Sequence, residues 1–236
     1  MSTALVIGGT SGVGLAVARQ LAGRGDTVHI AGRNTERVDQ ATAAIDGDVH
    51  GHILDATDPE AAAALAAKIA PIRHLVITLG GRAGAGPLGD LPLDGLRQAF
   101  AEKYWPTVTA LQASIAHLSE DASITLVGAI TARVAMPGTA GLGSLNAAVE
   151  GLVQPLAAEL APIRVNAVSP GYVDTPWWDG LAAEDRTAFF KQAAESLPTK
   201  RIATADDVAE AVVLLATNPN ITGTVLETDG GVRLTA

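Results

Sequence analysis

The sequence predicts a doubly wound α/β fold, in which one parallel sheet is covered by helices on both faces. Apolar runs of strand length alternate with stretches of helical spacing along all 236 residues. The first apolar run leads directly into a glycine-rich turn and a helix. Hydrophobic residues make up 48% of the chain, which is typical of a sheet buried on both faces.

The spacing predicts seven strands, and the helices between them predict that all seven run parallel. The strands are expected at 4–7, 27–30, 49–54, 74–79, 123–127, 163–168 and 224–227. The helices are expected at 15–21, 35–45, 59–69, 93–118, 141–160, 177–197 and 204–216. Pro106 and Pro155 are expected to bend the two long helices, because proline lacks the N–H that continues a helix.

Two of the helices begin with N-cap patterns. Asp58 precedes a proline and an acidic first turn, and Thr204 is followed by Asp207 at the capping-box position. Residues 1–236 are expected to form a single domain, because no linker or internal repeat interrupts the alternation. Within this domain, residues 176–197 are expected to form a lid over a substrate site.

Composition excludes several classes of function. The net charge of −9 argues against a nucleic-acid-binding protein. The chain has no cysteine, and its five histidines lack the spacing of metal ligands, so neither a disulfide nor a metal site is expected. No basic segment leads into an apolar signal, and no apolar run is long enough for a bilayer. We therefore expect a soluble cytoplasmic protein without a membrane partner.

The first thirty residues carry the pattern of a Rossmann-type dinucleotide-binding unit. Gly8, Gly12 and Gly14 separate the first strand from a helix, and a second strand follows at the βαβ distance. Glycines allow the backbone to turn tightly and to approach a pyrophosphate, whose negative charge then meets the helix N-terminus. An ordinary tight turn is the alternative, which the flanking strand and helix disfavour.

The end of the second strand favours NADP(H) over NAD(H). An acidic residue there would bind the adenosine ribose hydroxyls, but this strand is followed by Arg33 and Asn34. A guanidinium pairs well with a 2′-phosphate. A solvated arginine at the start of the next helix remains the alternative.

The chain resembles the short-chain dehydrogenase/reductase family over nearly its whole length. The resemblance rests on the glycine loop, on Asp55 after the third strand, on the segment 163–176 and on the turn at 222–231. The segment 163–176 is similar to the family pattern R-V-N-x-x-x-P-G-x-V-x-T-P, which holds the nicotinamide carboxamide through the backbone near Val173 and the Thr175 hydroxyl. The resemblance implies a cofactor site made of Gly8, Thr10, Ser11, Gly12, Val13, Gly14, Arg33, Asn34, Asp55, Ala56, Gly80, Asn146, Pro170, Gly171, Val173 and Thr175.

The chain departs from the family at all four catalytic positions. The family uses Asn, Ser, Tyr and Lys, where tyrosine transfers a proton, lysine lowers its pKa and binds ribose, and serine orients the carbonyl. Matching the motifs puts these positions at Lys103, Ala129, Leu142 and Asn146. Leucine donates no proton and alanine no hydrogen bond, so another group must supply the proton if a carbonyl is reduced.

The candidate catalytic residues are Lys103, Asn146 and Tyr172. We expect Lys103 to supply the missing positive charge near the nicotinamide ribose, with Asn146 holding ribose hydroxyls. A solvated helix lysine paired with Glu102 or Glu150 is an equal alternative. Tyr172 is a candidate for a displaced proton donor, although a pocket wall is the favoured interpretation.

Other residues near the altered site have competing interpretations. Arg82 is a candidate for binding an acidic substrate, or else a solvated loop arginine. Trp177 and Trp178 suggest a gate for an apolar or aromatic substrate, or else hydrophobic anchoring of the lid. The residues expected to be structural are Thr131, Arg133, Ser144 and His117.

Three functions remain open from the sequence. We favour an NADP(H)-dependent oxidoreductase that acts on a small carbonyl or alcohol substrate with a non-standard proton-transfer site, because the nicotinamide turn is kept. The alternatives are a catalytically silent NADP(H)-binding sensor or partner subunit, and a non-redox enzyme on the same fold. Relatives associate through the helices expected here at 93–118 and 141–160, so a homo-oligomer, either tetramer or dimer, is also expected.

Overall fold

A seven-stranded parallel sheet forms the centre of the computed structural model, which describes residues 2–235. The nine strands are β1 (Thr3–Ile7), β2 (Thr27–Gly32), β3 (Val49–Ile53), β4 (Ile72–Ile77), β5 (Leu118–Val127), β6 (Arg164–Pro170), β7 (Val173–Asp174), β8 (Ala203–Thr204) and β9 (Val225–Thr228). The sheet order is β3-β2-β1-β4-β5-β6-β9, and β7 pairs separately with β8. The predicted seven-stranded parallel sheet is therefore confirmed.

Helices cover both faces of the sheet, as the fold class requires. They are α1 (Gly12–Gly23), α2 (Thr35–Ala43), α3 (Pro59–Ile69), α4 (Leu93–Glu102), α5 (Tyr104–Ile115), α6 (Ala140–Gly151), α7 (Val153–Glu159), α8 (Ala183–Ser196) and α9 (Ala205–Thr217). Ala4 and Val6 of β1 pack with α1 and α9, whereas Leu5 and Ile7 pack with α3, α5 and α6. This alternation follows from the two-residue period of a strand. Between residues 2 and 235, no helix is long and apolar enough to cross a bilayer.

The strand order reverses at β1, and this reversal determines where a crevice opens. β2 and β3 lie on one side of β1, and β4 lies on the other. The helix after β1 packs on one face of the sheet, and the helices after β4 pack on the opposite face. The chain therefore diverges at the carboxyl ends of β1 and β4, where ligands of such folds bind.

Prolines divide the two long predicted helices. The predicted helix at 93–118 consists of α4 and α5, which are separated at Lys103, and the one at 141–160 consists of α6 and α7, separated at Leu152. In each case a proline lies three residues after the break, where its ring excludes a continuous helix. The predicted bends are confirmed, but the prediction of helix as far as residue 118 was wrong, because Leu118 begins β5.

The segment after β7 differs from the predicted continuous helix at 177–197. Residues Pro176–Trp178 form a single 3-10 turn, and α8 begins only at Ala183. The pairing of β7 with β8 was not predicted, because two-residue strands carry no periodic pattern. Both predicted N-caps are confirmed, since Asp58 accepts from two N–H groups of α3 and Thr204 forms a capping box with Asp207.

Candidate cofactor and active site

A cavity of about 600 Å³ opens at the carboxyl ends of β1, β4, β5 and β6. Its wall is formed by the glycine loop, the segments after β4 and β5, α6, and the turn after β6. The predicted cofactor residues that line it are Gly8, Ser11, Gly12, Val13, Gly14, Gly80, Asn146, Pro170, Gly171, Val173 and Thr175. The fold therefore brings together predicted cofactor residues that lie far apart in the sequence.

The glycine loop needs its glycines for two different reasons. Gly8 and Gly12 have φ angles of 89° and 50°, which other residues rarely adopt. Gly14 is required by space, because a Cβ there would lie 2.2 Å from the Gly8 carbonyl oxygen and 2.5 Å from Thr78 Oγ1. These glycines allow α1 to pack directly on the ends of β1 and β4.

The first turn of α1 suits a phosphate group. It contains no acidic residue, and within the described chain the Ser11 side chain makes no capping hydrogen bond to it. The first N–H groups of a helix have no intrahelical partner, and Ser11 and Gly12 both line the cavity. This donor set fits a dinucleotide pyrophosphate, which the helix dipole also favours.

Of the residues that follow β2, Arg37 lines the cavity, and the predicted cofactor residues Arg33 and Asn34 are not among its lining residues. Asn34 is the N-cap of α2, and its Oδ1 accepts from the Arg37 N–H at 2.9 Å. Arg33 and Arg37 are both exposed, and Arg37 lines the cavity together with Ser11 and Gly12. Arg37 was not among the predicted cofactor residues, although a second arginine four residues after Arg33 was a usable signal.

Thr10, Asp55 and Ala56 are not among the described residues that line the cavity. Asp55 Oδ1 accepts from the N–H and hydroxyl of Thr57 at 3.0 and 2.8 Å, and these hydrogen bonds lower the pKa of Asp55. Ala56 is buried, and the Thr10 side chain packs on Gly32. Contacts of these three residues with an adenosine stay predictions.

The turn after β6 is held rigidly beside the cavity. A Cβ at Gly171 would lie 2.8 Å from the Asp229 Cα, so this turn packs directly on the C-terminal segment. The Trp178 indole N–H donates to the Val173 carbonyl at 3.0 Å. Thr175 lies next to Gly12 of the glycine loop. The turn after β6 and the N-terminal end of α1 therefore lie close together at the cavity.

Lys103 and Asn146 meet in the cavity wall. Lys103 Nζ donates to Asn146 Oδ1 at 2.7 Å and to the Gly128 carbonyl at 3.1 Å. Asn146 Nδ2 donates to Thr131 Oγ1 at 3.0 Å and to the Leu142 carbonyl at 2.9 Å. Because Lys103 is only 7% exposed, the alternative of a solvated helix lysine was wrong.

The burial of Lys103 changes its acidity. Desolvation lowers the pKa of Lys103 to about 8, and the nearby Glu150 carboxylate partly opposes this shift. Glu150 is itself buried, and its Oε2 accepts from Arg133 Nε at 2.9 Å. The Lys103 ammonium therefore holds a proton at neutral pH but releases it more readily than an exposed lysine does.

The other two positions that were matched to the family's catalytic residues, Ala129 and Leu142, are apolar and line the cavity. Ala129 precedes a 3-10 turn at Ile130–Ala132, and Leu142 lies in the first half of α6. Both residues line the same cavity as Lys103 and Asn146. The four positions that the family resemblance matched to catalytic residues therefore surround one space, and among these four only Lys103 and Asn146 have polar side chains.

Tyr172 belongs to an aromatic wall. Its ring lies 5.4 Å from the Phe189 ring and 6.3 Å from the Trp178 ring, measured between centroids. Its hydroxyl donates to the Met136 Sδ at 3.7 Å, and burial raises the pKa of Tyr172. These contacts favour the pocket-wall interpretation over a displaced proton donor.

The loop after β4 is fastened to the turn at residues 176–178. Arg82 Nη2 donates to the Pro176 carbonyl at 2.7 Å, and the Trp177 indole N–H donates to the Gly81 carbonyl at 3.0 Å. Arg82 therefore joins two segments beside the cavity. It is exposed, as expected of a solvated loop arginine, and its binding of an acidic substrate stays a prediction. Trp177 is 41% exposed, and it is held by this hydrogen bond and by an edge-to-face contact with the Trp178 ring.

Arg133, Ser144 and His117 make structural contacts, as expected. Arg133 pairs with Glu150, and Ser144 Oγ donates to the Gly141 carbonyl at 2.9 Å. The His117 carbonyl accepts from a β4 N–H. In the described part of the chain, His, Asp and Glu side chains form no group of three that could hold a metal ion.

Comparison with known proteins identifies the family. A family model described as Enoyl-(Acyl carrier protein) reductase matches residues 8–233. Short-chain dehydrogenase/reductase malC of Malbranchea aurantiaca is 32% identical, over 98% of this chain and 94% of its own. The chain belongs to the short-chain dehydrogenase/reductase family. Members of this family are NAD(P)H-dependent oxidoreductases, so the predicted family and general reaction class are confirmed.

Two further similar proteins are described with a substrate or a bound cofactor. A cis-4-hydroxycyclohexanecarboxylate dehydrogenase of Sinomonas cyclohexanicum is 32% identical, over 97% of this chain and 95% of its own. The crystal structure of a small-chain dehydrogenase in complex with NADPH is 34% identical, covers 99% of both chains and has a TM-score of 0.87. The fold and the family thus rest on both sequence and structure.

Replacing Lys103 with methionine is expected to change the pH dependence of stability. The folded-state pKa of Lys103, about 8, lies below its ordinary value of 10.5, so the unfolded chain binds this proton more tightly. The contribution of this group to stability is constant below about pH 8 and rises as the pH increases towards 10.5. Between pH 7 and 9.5, the free energy of unfolding should rise by about 2 kcal/mol more for the wild type than for K103M.

Urea unfolding at these two pH values measures the difference, and Lys68→Met, at an exposed position on α3, is the matched control. Parallel pH dependence of the wild type and K103M would mean that Lys103 titrates as an ordinary lysine.

Proposed function

We propose that the protein is an NADP(H)-dependent oxidoreductase that acts on a small apolar carbonyl or alcohol substrate through a non-standard proton-transfer site. The observation that carries this proposal is the buried pair of Lys103 and Asn146 in the cavity wall. The family pattern has lysine at the position of Asn146 and asparagine at the position of Lys103. The two residue types are exchanged here. Because Lys103 Nζ lies 2.7 Å from Asn146 Oδ1, a cation is kept at the contact between these two positions.

A buried ammonium favours an enzyme over a silent binding protein. Taking an ammonium out of water costs free energy, which two neutral hydrogen-bond acceptors only partly offset. Lys103 carries this cost at a position where the family pattern has a neutral residue. A role in the reaction accounts for the charge, whereas cofactor binding by the glycine loop does not require it.

The residues around the cavity fit NADP(H), which when bound supplies or accepts the hydride at the substrate carbon. The first turn of α1 and Ser11 would hold the pyrophosphate, and Thr175 the nicotinamide carboxamide. Arg37, with Arg33 beside it, would pair with the 2′-phosphate. The NADPH complex of a 34% identical relative supports this assignment.

Lys103 supplies the proton in this proposal. As the substrate carbon accepts the hydride, its oxygen gains negative charge and takes a proton from the ammonium. Two N–H groups of Lys103 are used by Asn146 and Gly128, which leaves the third for the cavity. The products are an alcohol and a neutral amine, and the amine regains a proton from water.

An apolar ring is the substrate class that best fits the cavity. Aromatic side chains form one wall, and Leu142 and Met136 add aliphatic surface. Residues 176–197 would act as the lid over this wall. The 32% identical dehydrogenase named for a hydroxycyclohexane carboxylate supports a cyclic ketone or alcohol.

A catalytically silent NADP(H)-binding protein is the second candidate. Ala129 and Leu142 favour it, because they leave the positions of the family's serine and tyrosine without a polar group. This candidate requires cofactor binding without turnover.

Replacing Arg37 with alanine should weaken NADPH binding by about tenfold or more, because a charge-assisted hydrogen bond contributes about 1.5–3 kcal/mol. The affinity for NADH, which lacks the 2′-phosphate, should not change. Fluorescence titration measures both affinities. Arg33→Ala, measured in parallel, decides which arginine binds the phosphate, and Arg19→Ala, at an exposed position on α1, is the control. Equal affinities of the wild type for NADPH and NADH would contradict the NADP(H) preference.

A panel of cyclic and aromatic ketones should be reduced with NADPH. K103M should lower kcat by about 10²–10⁴-fold while leaving NADPH affinity within a few-fold. Reduction by the wild type should fall with rising pH above about 8, where the ammonium loses its proton. Lys68→Met should behave like the wild type. Tight NADPH binding without turnover of any ketone would favour the silent protein.

We further propose that the protein is a homo-oligomer, with a tetramer preferred over a dimer. Two large apolar side chains on the expected contact helices are exposed, Leu93 on α4 at 69% and Trp105 on α5 at 59%. Light scattering after gel filtration should give a multiple of 23.9 kDa. Trp105→Asp should shift the mass downwards, whereas Gln40→Asp on α2 should not. A wild-type mass of one chain would contradict the proposal.

A further inference from the structure

The Thr131 hydroxyl occupies an unusual position in the cavity wall. Thr131 lies in the 3-10 turn after β5, two residues beyond Ala129, and lines the same cavity as Lys103. A Cβ at Gly143 would lie 2.7 Å from the Thr131 carbonyl oxygen, so this glycine allows α6 to approach the turn closely. Asn146 of α6 then reaches Thr131 Oγ1 at 3.0 Å.

The direction of these hydrogen bonds follows from chemistry. An ammonium only donates, so the oxygen of the Asn146 amide must face Lys103 and its nitrogen must face Thr131. Thr131 Oγ1 therefore accepts, and its own proton has no acceptor among residues 2–235. The hydrogen bond from Asn146 therefore orients the Thr131 hydroxyl, whose own proton can be donated to a ligand.

Three other hydroxyls that line the cavity already donate hydrogen bonds within the protein. Thr139 donates to the Met136 carbonyl at 2.7 Å, and the Tyr172 hydroxyl donates to the Met136 sulfur. Thr78 Oγ1 donates to the Ile7 carbonyl at 3.2 Å. Thr131 is thus distinguished by an unused donor next to the buried cation.

We propose that Thr131 binds the substrate carbonyl oxygen through its hydroxyl and orients the carbonyl for reduction, with Asn146 as the positioning residue. This inference rests on the proposed function and reverses the expectation that Thr131 is merely structural. Asn146 links the two donors, because its oxygen holds Lys103 and its nitrogen holds Thr131.

Thr131 and Lys103 have different roles in the reduction. Thr131 donates a hydrogen bond to the carbonyl oxygen and stabilises the negative charge that develops there as the hydride of NADPH bonds to the carbon. Thr131 keeps its proton throughout, and the ammonium of Lys103 transfers one proton to the oxygen. One hydride and one proton are consumed for each ketone, which leaves an alcohol and NADP⁺.

Kinetics of Thr131→Val and Thr131→Ser test the proposal. T131V keeps the shape of threonine but removes the donor, and it should lower kcat by about 10²–10³-fold, as for loss of one oxyanion donor. T131S keeps the hydroxyl and should recover most of the rate. NADPH affinity should stay within about twofold in both variants. Thr139→Val, which removes a hydroxyl already bonded to Met136, is the matched control and should lower kcat far less. Equal damage in T131S and T131V, or little effect of T131V, would overturn the assignment.

A second measurement does not depend on turnover. Cyclohexanone labelled with ¹³C at the carbonyl is added to the NADP⁺-loaded protein, which cannot reduce it. The carbonyl ¹³C signal of the bound ketone should lie further downfield in the wild type, T131S and T139V than in T131V, which keeps Lys103 as its donor but lacks the Thr131 hydroxyl. The same bound signal in the wild type and T131V overturns the Thr131 proposal, even if ketones are reduced. A downfield signal without reduction of any ketone by NADPH overturns the proposed redox function and leaves the carbonyl-binding role of Thr131 intact.

Discussion

The close packing of α1 on the ends of β1 and β4 is the constraint on which the site depends. A side chain at Gly14 would collide with the Gly8 carbonyl and with Thr78, so only glycine lets the helix start at this point. The helix start positions the N–H groups that suit a pyrophosphate. Because the chain leaves β1 and β4 towards opposite faces of the sheet, the cavity opens beside this same contact.

The buried charge of Lys103 is the second determinant of the site. Pro106 ends the continuous helix, and the break leaves Lys103 between α4 and α5, with its Nζ bonded to Asn146 of α6. Burial disfavours the ammonium and thereby makes its proton easier to transfer. The network then extends through Asn146 to Thr131, so one chain of hydrogen bonds connects three segments of the cavity wall.

Two hydrogen bonds join two segments that line the cavity. Arg82 and Trp177 connect the loop after β4 with the turn after β6, beside the aromatic wall formed by Tyr172 and Trp178. A cavity bounded by apolar side chains excludes water and strengthens the electrostatic effect of the few polar groups that it contains. In the proposed mechanism, such surroundings would strengthen the interaction of the Lys103 ammonium with a bound carbonyl.

The sequence by itself determined the seven-stranded parallel sheet, the helix caps and the glycine loop, because strand and helix periods, capping residues and glycine turns are local patterns. The family resemblance matched the catalytic positions to Lys103, Ala129, Leu142 and Asn146, and this match stays a prediction. Only the tertiary structure decided that Lys103 is buried, that Thr131 meets Asn146 and that Arg37 lines the cavity. Lys103 and Asn146 are 43 residues apart, and their contact depends on how α4, α5 and α6 pack, which no local pattern encodes.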